Sequence, residues 1–360
     1  MTRGYNFGAG PAMLPTSLLE EIKDELLDWQ GTGMSVMEIG HRTSEYMELM
    51  QEAEKLLREL LNIPPSYEIF FMGGAARSQF SLIPLNLLQK EDKAGFLISG
   101  LWSSMAYEEA KRLKSAYSVF NAESNGFTEI PERQFWQIED NTKYFYYTPN
   151  ETINGIRFDS LPKLKAPLIA DMTSCLLSEP LNINDYGLIF AGAQKNIANA
   201  GLTLVIMSND LISQVKDEKL PTMFDYRTFS QHHSMYATPP TFNCYIALKM
   251  FQWIKKQGGV EALYQLNIEK AQRLYNYIDN SDFYFAKVKL KYRSIMNVCF
   301  NLKKEALLEL FLKEAKKQNL LALSGHRMAG GLRASLYNSM PLQAVDQLIE
   351  FMTNFARKHQ

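Results

Sequence analysis

Apolar residues in this chain follow two alternating rhythms, and the alternation predicts the architecture. From Thr16 to Gly31, Leu18, Leu19, Ile22, Leu26 and Leu27 recur at helical spacing, which predicts an amphipathic helix entered after Pro15 and stopped at Gly31. A second helix is expected from near Thr43 through Met47, Ala53, Leu56, Leu57 and Leu60. The rhythm then changes. Short runs at 68–72, 95–99, 143–148, 168–170, 188–190 and 202–207 are largely apolar and read as strands. Helices are expected between them at 79–88 and 103–113. Strands without a polar face, separated by helices, predict a largely parallel sheet covered on both sides.

After a long helical stretch, Asn280-Ser281-Asp282 looks like a loop, and the pattern becomes α+β. Strands are expected at 295–300 and 331–337, and helices at 304–318 and 342–355. The expected fold class is therefore α/β. A large, mostly parallel sheet domain covers 16–259, and a smaller C-terminal α+β domain covers 260–360, with segment 1–15 packing against the smaller one. A chain of 360 residues accommodates such a pair.

Composition narrows the function classes. A net charge of −1 without a basic tail leaves nothing to attract nucleic acid or an anionic membrane surface. The start, Met1 to Gly8, lacks the apolar core of a signal peptide, and no apolar run approaches a bilayer-spanning length. Cys175, Cys244 and Cys299 are too far apart for a disulfide framework or a zinc spacing, so the reducing cytoplasm is the expected compartment. His232-His233 has no carboxylate or cysteine at ligating spacing, and no metal is expected.

Candidate chemistry starts at Lys195, set among small residues in Gly192-Ala193-Gln194-Lys195-Asn196 between two apolar strands. Partial desolvation there would lower its pKa and favour the neutral amine that a Schiff-base lysine needs. Upstream, Leu168-Ile169-Ala170-Asp171 ends a strand on a carboxylate, which could keep a pyridine nitrogen protonated. A lysine and an aspartate on successive strand ends suggest pyridoxal phosphate chemistry, although each is also an ordinary solvated strand end. The small-residue turn Gly73-Gly74-Ala75-Ala76-Arg77-Ser78 offers free N–H groups at a helix start, suited to a phosphate or simply to a tight turn. It carries neither a dinucleotide fingerprint nor a Walker lysine. Trp102 follows a strand at the sheet edge where open α/β proteins bind ligands, and its indole could stack on a flat ring or merely pack. Thr152 lies in Pro149-Asn150-Glu151-Thr152, a turn that needs no ligand but could bond a ring oxygen. His41-Arg42, His326-Arg327 and Arg333, if they converge, suit a substrate with two anionic ends.

Together these segments resemble the phosphoserine aminotransferase family, within the class V, fold-type I pyridoxal phosphate enzymes, and the resemblance runs nearly end to end. It is carried by Asn6-Phe7-Gly8-Ala9-Gly10-Pro11, Gly40-His41-Arg42, Pro149-Asn150-Glu151-Thr152, Gly192-Ala193-Gln194-Lys195-Asn196, Thr238-Pro239-Pro240-Thr241-Phe242 and Gly325-His326-Arg327 through Arg333. The resemblance implies pyridoxal 5′-phosphate as cofactor, Lys195 as Schiff-base lysine and Asp171 as partner of the ring nitrogen. It implies that Trp102 stacks on the ring, Thr152 meets the phenolic oxygen, and Ala76, Arg77 and Gln194 meet the phosphate. Thr238 would reach that phosphate from the neighbouring subunit of a homodimer. His41, Arg42, His326 and Arg327 would bind the substrate's phosphate or distal carboxylate, and Arg333 its α-carboxylate.

The implied reaction is reversible amino transfer from glutamate to 3-phosphooxypyruvate, giving O-phospho-L-serine and 2-oxoglutarate for serine biosynthesis. In some bacterial members 4-phosphohydroxythreonine, on the way to vitamin B6, is a second substrate. The alternatives are a serine–glyoxylate type of class V aminotransferase with altered substrate, or a non-catalytic pyridoxal phosphate-binding protein. Several residues depart from the family pattern. Ala75, Ala76 and Ser78 replace commoner glycines, Ala237 stands where an asparagine is usual, and Ala198-Asn199 replaces a common Gly-Pro. The turn's amides keep donating only if the torsion angles at the new alanines stay negative.

Overall fold

The computed structural model describes residues 3–216 and 219–359. Its centre is a seven-stranded sheet whose strands, in chain order, are β1 (Tyr67–Gly73), β2 (Lys93–Ile98), β3 (Ser115–Asn121), β4 (Thr142–Tyr147), β5 (Leu168–Asp171), β6 (Leu188–Gly192) and β7 (Leu202–Ser208). They lie side by side in the order β1-β7-β6-β5-β4-β2-β3. All are parallel except β7, which runs antiparallel to both β1 and β6. The sheet is buried on both faces because the strands carry large apolar side chains in succession. Phe70, Phe96, Phe145 and Phe190 are almost wholly excluded from solvent, and the Phe96 and Tyr146 rings stack at 5.0 Å.

Three local expectations need correction. The first helix covers only Thr16–Glu25, because the chain reverses on itself: Trp29 N–H donates to Met34 O, with Gln30 and Gly31 at positive φ. Leu27, counted as part of the apolar stripe, is 86% exposed. Strand β3 is absent from the sequence reading because only Val119 and Phe120 of its seven residues are buried, so it has no continuous apolar run. Trp102, expected just before a helix, is the second residue of the helix Leu101–Leu113.

A smaller core forms around an antiparallel sheet of Tyr284–Phe285, Asn297–Leu302 and Leu332–Ser335. The helices Leu308–Lys317 and Leu342–His359 contribute Phe311, Leu348, Phe351 and Phe355 to it. Helix Gly259–Asp279 serves both cores, with Val260 and Leu263 in the larger and Ala271, Leu274 and Ile278 in the smaller. The N-terminal Tyr5–Asn6 pairs with Leu320–Leu321, and Phe7 is buried in the smaller core. From there the chain crosses to the large sheet, where Ala12 N–H donates to Gln194 O.

Lys270 of the shared helix is fully buried, and its Nζ donates to the carbonyls of Leu336, Tyr337 and Met340 at 2.9, 2.8 and 3.1 Å. These bonds fix the turn leaving strand Leu332–Ser335. Lys270→Met keeps the apolar stem but strips three buried carbonyls of their donor. It is expected to cost about 3 kcal/mol of stability, measured as a lower denaturation midpoint in urea.

Candidate active site

Parallel strands present all their carboxyl ends to one side, which is where open α/β sheets bind ligands. Here the ends of β1, β2, β4, β5 and β6 surround a cavity of about 630 Å³. Lys195, Asp171, Trp102, Thr152, Gln194, Ala76, Arg77, His326 and Arg333 all line it.

Lys195 sits three residues past β6, in a turn closed by the Ile197 and Ala198 N–H groups on Ala193 O. Burial brings its pKa down to about 8, against the opposing pull of the Asp171 charge. Gly10 approaches from the N-terminal segment at φ +148, and a Cβ there would lie 3.7 Å from Lys195 Cε and Cγ. A glycine is needed at that torsion.

Asp171 is the last residue of β5 and is buried. Burial raises its pKa, while the Thr173 N–H bond at 3.0 Å and the neighbouring Lys195 oppose the rise. That amide bond uses one lone pair of Oδ1, so the carboxylate keeps further acceptor capacity for a ligand.

The turn after β1 answers the question raised by its alanines. Gly74 takes the positive torsion, at φ +113, whereas Ala75 has φ −81 and none of Ala75, Ala76, Arg77 or Ser78 is left-handed. The first amides of a helical turn have no intrahelical acceptor. This turn runs straight into helix Gln79–Leu87, so the amides around Ala76 and Arg77 stay available without strain.

Trp102 Nε1 donates to Thr152 Oγ1 at 3.0 Å, and the Arg77 guanidinium lies 5.2 Å from the indole centroid. Arg333 Nη1 donates to Thr152 O at 3.1 Å, while its Nε is buried without a partner. Thr148 Oγ1, on the cavity wall, is likewise buried and unpartnered. Unsatisfied buried polar atoms of this kind mark where a polar ligand belongs. Burial lowers the pKa of His326, reinforced by the charges of Arg333 and Arg327.

This set fits a phosphorylated pyridine aldehyde. A buried amine, a carboxylate with spare acceptor capacity, a row of free amides and an indole meet in one cavity of suitable size. His41, Arg42, Arg327 and Thr238 are not among the cavity's lining residues. Arg42, Arg327 and Thr238 are exposed, and His41 keeps a buried Nε2 with no partner just before helix Ser44–Leu61. Sequence reasoning gave no role to Glu151, which carries no periodic signal but bonds to the start of the Trp102 helix. Among the described residues no group of three His, Cys, Asp or Glu side chains could hold a metal ion, and no helix is long and apolar enough to cross a membrane.

The family described as aminotransferase class-V matches residues 4–348. Phosphoserine aminotransferase of Legionella pneumophila (strain Paris) is 58% identical over 99% of both chains. Its counterpart from Acinetobacter baumannii (strain ACICU) is 48% identical, again over 99% of each. Among solved structures, phosphoserine aminotransferase from Bacillus circulans subsp. alkalophilus superposes with a TM-score of 0.97 at 40% identity, covering 99% of each chain. A pyridoxal phosphate-bound phosphoserine aminotransferase from Trichomonas vaginalis gives 0.94 at 39% identity, covering 98% of this chain and all of that one.

Proposed function

The chain belongs to the class-V aminotransferase family, within its phosphoserine aminotransferases, and from that premise we propose how its cavity performs amino transfer. The enzyme depends on pyridoxal 5′-phosphate, which when bound supplies an electron sink for the charge left on the substrate's α-carbon. Ala76 and Arg77, with Gln194, hold the phosphate through the turn's amides. Trp102 covers the ring and Thr152 faces its phenolic oxygen. Asp171, whose Thr173 bonds and Lys195 neighbour oppose the rise in pKa that burial causes, holds the proton on the ring nitrogen. Lys195 Nζ, whose pKa burial brings down to about 8, carries the proton away from the substrate's α-carbon and returns it. The N-terminal Ala9–Pro11 segment helps close the cavity to water.

The substrates in this reading are glutamate and 3-phosphooxypyruvate, and the products are 2-oxoglutarate and O-phospho-L-serine. The observation that carries it is the pair of anion-binding groups lining the cavity: Arg333 with an unpartnered Nε, and the His326 imidazole. Both substrates bring an α-carboxylate for Arg333 and a distal anion. His41, Arg42, Arg327 and Thr238 do not line this chain's own cavity; Thr238 is assigned to the neighbouring subunit's cavity in a homodimer, and His41, Arg42 and Arg327 to the substrate's distal anion where the two subunits meet. Three free cysteines accord with a cytoplasmic setting.

The test is an absorbance spectrum of the loaded enzyme with O-phospho-L-serine or L-alanine. Only the phosphorylated amino acid is expected to move the cofactor band. Arg333→Ala is expected to raise the O-phospho-L-serine concentration needed for half of that change about 100-fold, through loss of a bidentate, charge-assisted pair. Equal responses to both amino acids would refute the substrate reading.

A further inference from the structure

Glu151 takes no part in the roles assigned so far, yet its side chain is fully buried between two residues that line the cavity, Asn150 and Thr152. Its Oε1 accepts from Ser103 N–H at 2.8 Å and Ser103 Oγ at 2.7 Å, and its Oε2 accepts from Trp102 N–H at 3.0 Å. These are the first amides of helix Leu101–Leu113, which have no acceptor within the helix. A carboxylate here meets both free donors and the positive end of the helix dipole. Gly100 makes room for it, since a Cβ there would lie 2.4 Å from Glu151 Cδ.

The next residue holds the other end of the same side chain. Thr152 Oγ1 accepts from Trp102 Nε1, so consecutive residues grip the tryptophan at its backbone and at its indole. The pair's own backbone is fixed by a hairpin in which Asn150–Glu151 runs antiparallel to Ile156–Arg157. Thr152 O, in turn, receives Arg333 Nη1.

We propose that Glu151 is a positioning residue that fixes the Trp102 indole as the stacking surface for the cofactor ring. This rests on the reading of the cavity as a pyridoxal phosphate site. Ring stacking depends on the indole plane being preset, and a helix start free to shift would spend cofactor affinity on ordering it. Glu151→Gln is nearly isosteric but replaces one acceptor oxygen by a donor, so either Trp102 N–H or the Ser103 pair loses its partner.

The experiment measures the dissociation constant of pyridoxal phosphate by equilibrium dialysis for the wild type, E151Q, W102A and the double variant. E151Q is expected to bind about tenfold more weakly in the wild-type background, the size of one lost charge-assisted hydrogen bond. In the W102A background the same change is expected to cost less than about twofold, because the stacking ring it positions is gone. An equal loss in both backgrounds, or no loss in either, overturns the proposal. Should E151Q fail to fold by circular dichroism, Ser103→Ala, which removes one Glu151 donor, is judged by the same comparison. A wild type that retains no pyridoxal phosphate would instead refute the functional reading on which the proposal stands.

Discussion

Lys195→Ala is expected to lower the rate of amino transfer from O-phospho-L-serine by about 10⁴-fold or more, at unchanged fold. A positioned acid–base group alone contributes up to about 10⁴. Among the described residues Lys195 is the sole lysine lining the cavity, and of the other basic groups there, Arg77, Arg333 and His326, only the His326 imidazole could accept a proton, so adding His326→Asn to the variant removes the one alternative base. Arginine stays protonated and cannot accept the α-proton. The measurement is a single-turnover absorbance trace with the variant preloaded with cofactor. A loss smaller than tenfold would show that another base does the work.

The same lysine sets a pH dependence whose sign follows from its environment. Its pKa lies at about 8 in the fold against 10.5 ordinarily, so the neutral amine dominates above about 8 and falls tenfold per pH unit below. Uptake of pyridoxal phosphate by the cofactor-free protein needs that neutral amine. The uptake rate is therefore expected to rise through pH 6 to 8 and flatten beyond.

Asp171→Asn is expected to cost about 10³-fold in the same reaction, the range seen when one preorganised electrostatic partner is removed. The amide preserves shape and can still accept from Thr173 N–H through its oxygen. What it lacks is the negative charge that holds a proton on the ring nitrogen. A second consequence separates this from misfolding. The Asp171 charge raises the Lys195 pKa, so its loss moves the uptake profile to lower pH than in the wild type. A profile left in place would mean that the two groups are not electrostatically coupled.

How much was legible in advance depends on the kind of signal. Six of the seven large-sheet strands were readable because β1, β2, β4, β5, β6 and β7 are buried on both faces and carry runs of apolar residues. Strand β3 buries only Val119 and Phe120 of its seven residues, so it left no such run, whereas β1 at the opposite edge is buried along most of its length. Leu27 misled because helical spacing persisted in a segment whose backbone reverses at Gln30 and Gly31. In the site, Lys195 and Asp171 were visible because each is a charged residue at or just past the end of an apolar strand. Glu151 was not visible, since a carboxylate in a Pro-Asn turn looks solvated until its partners Trp102 and Ser103, about fifty residues earlier, are brought beside it.

The sequence by itself determined the sheet-forming segments, the chemistry-bearing residues at their ends and, through motif resemblance, the reaction class. These are local properties: burial pattern, residue type and spacing are written along the chain. Tertiary structure alone decided the antiparallel β7, the order β1-β7-β6-β5-β4-β2-β3, and the convergence of Trp102, Asp171, Lys195 and Arg333 on one cavity. It also decided that Lys195 is desolvated enough to lose its proton near pH 8 and that Gly74 frees its alanine neighbours from strain. Such outcomes depend on which distant groups exclude water or supply charge, and strand pairing sets those distances rather than any stretch of sequence.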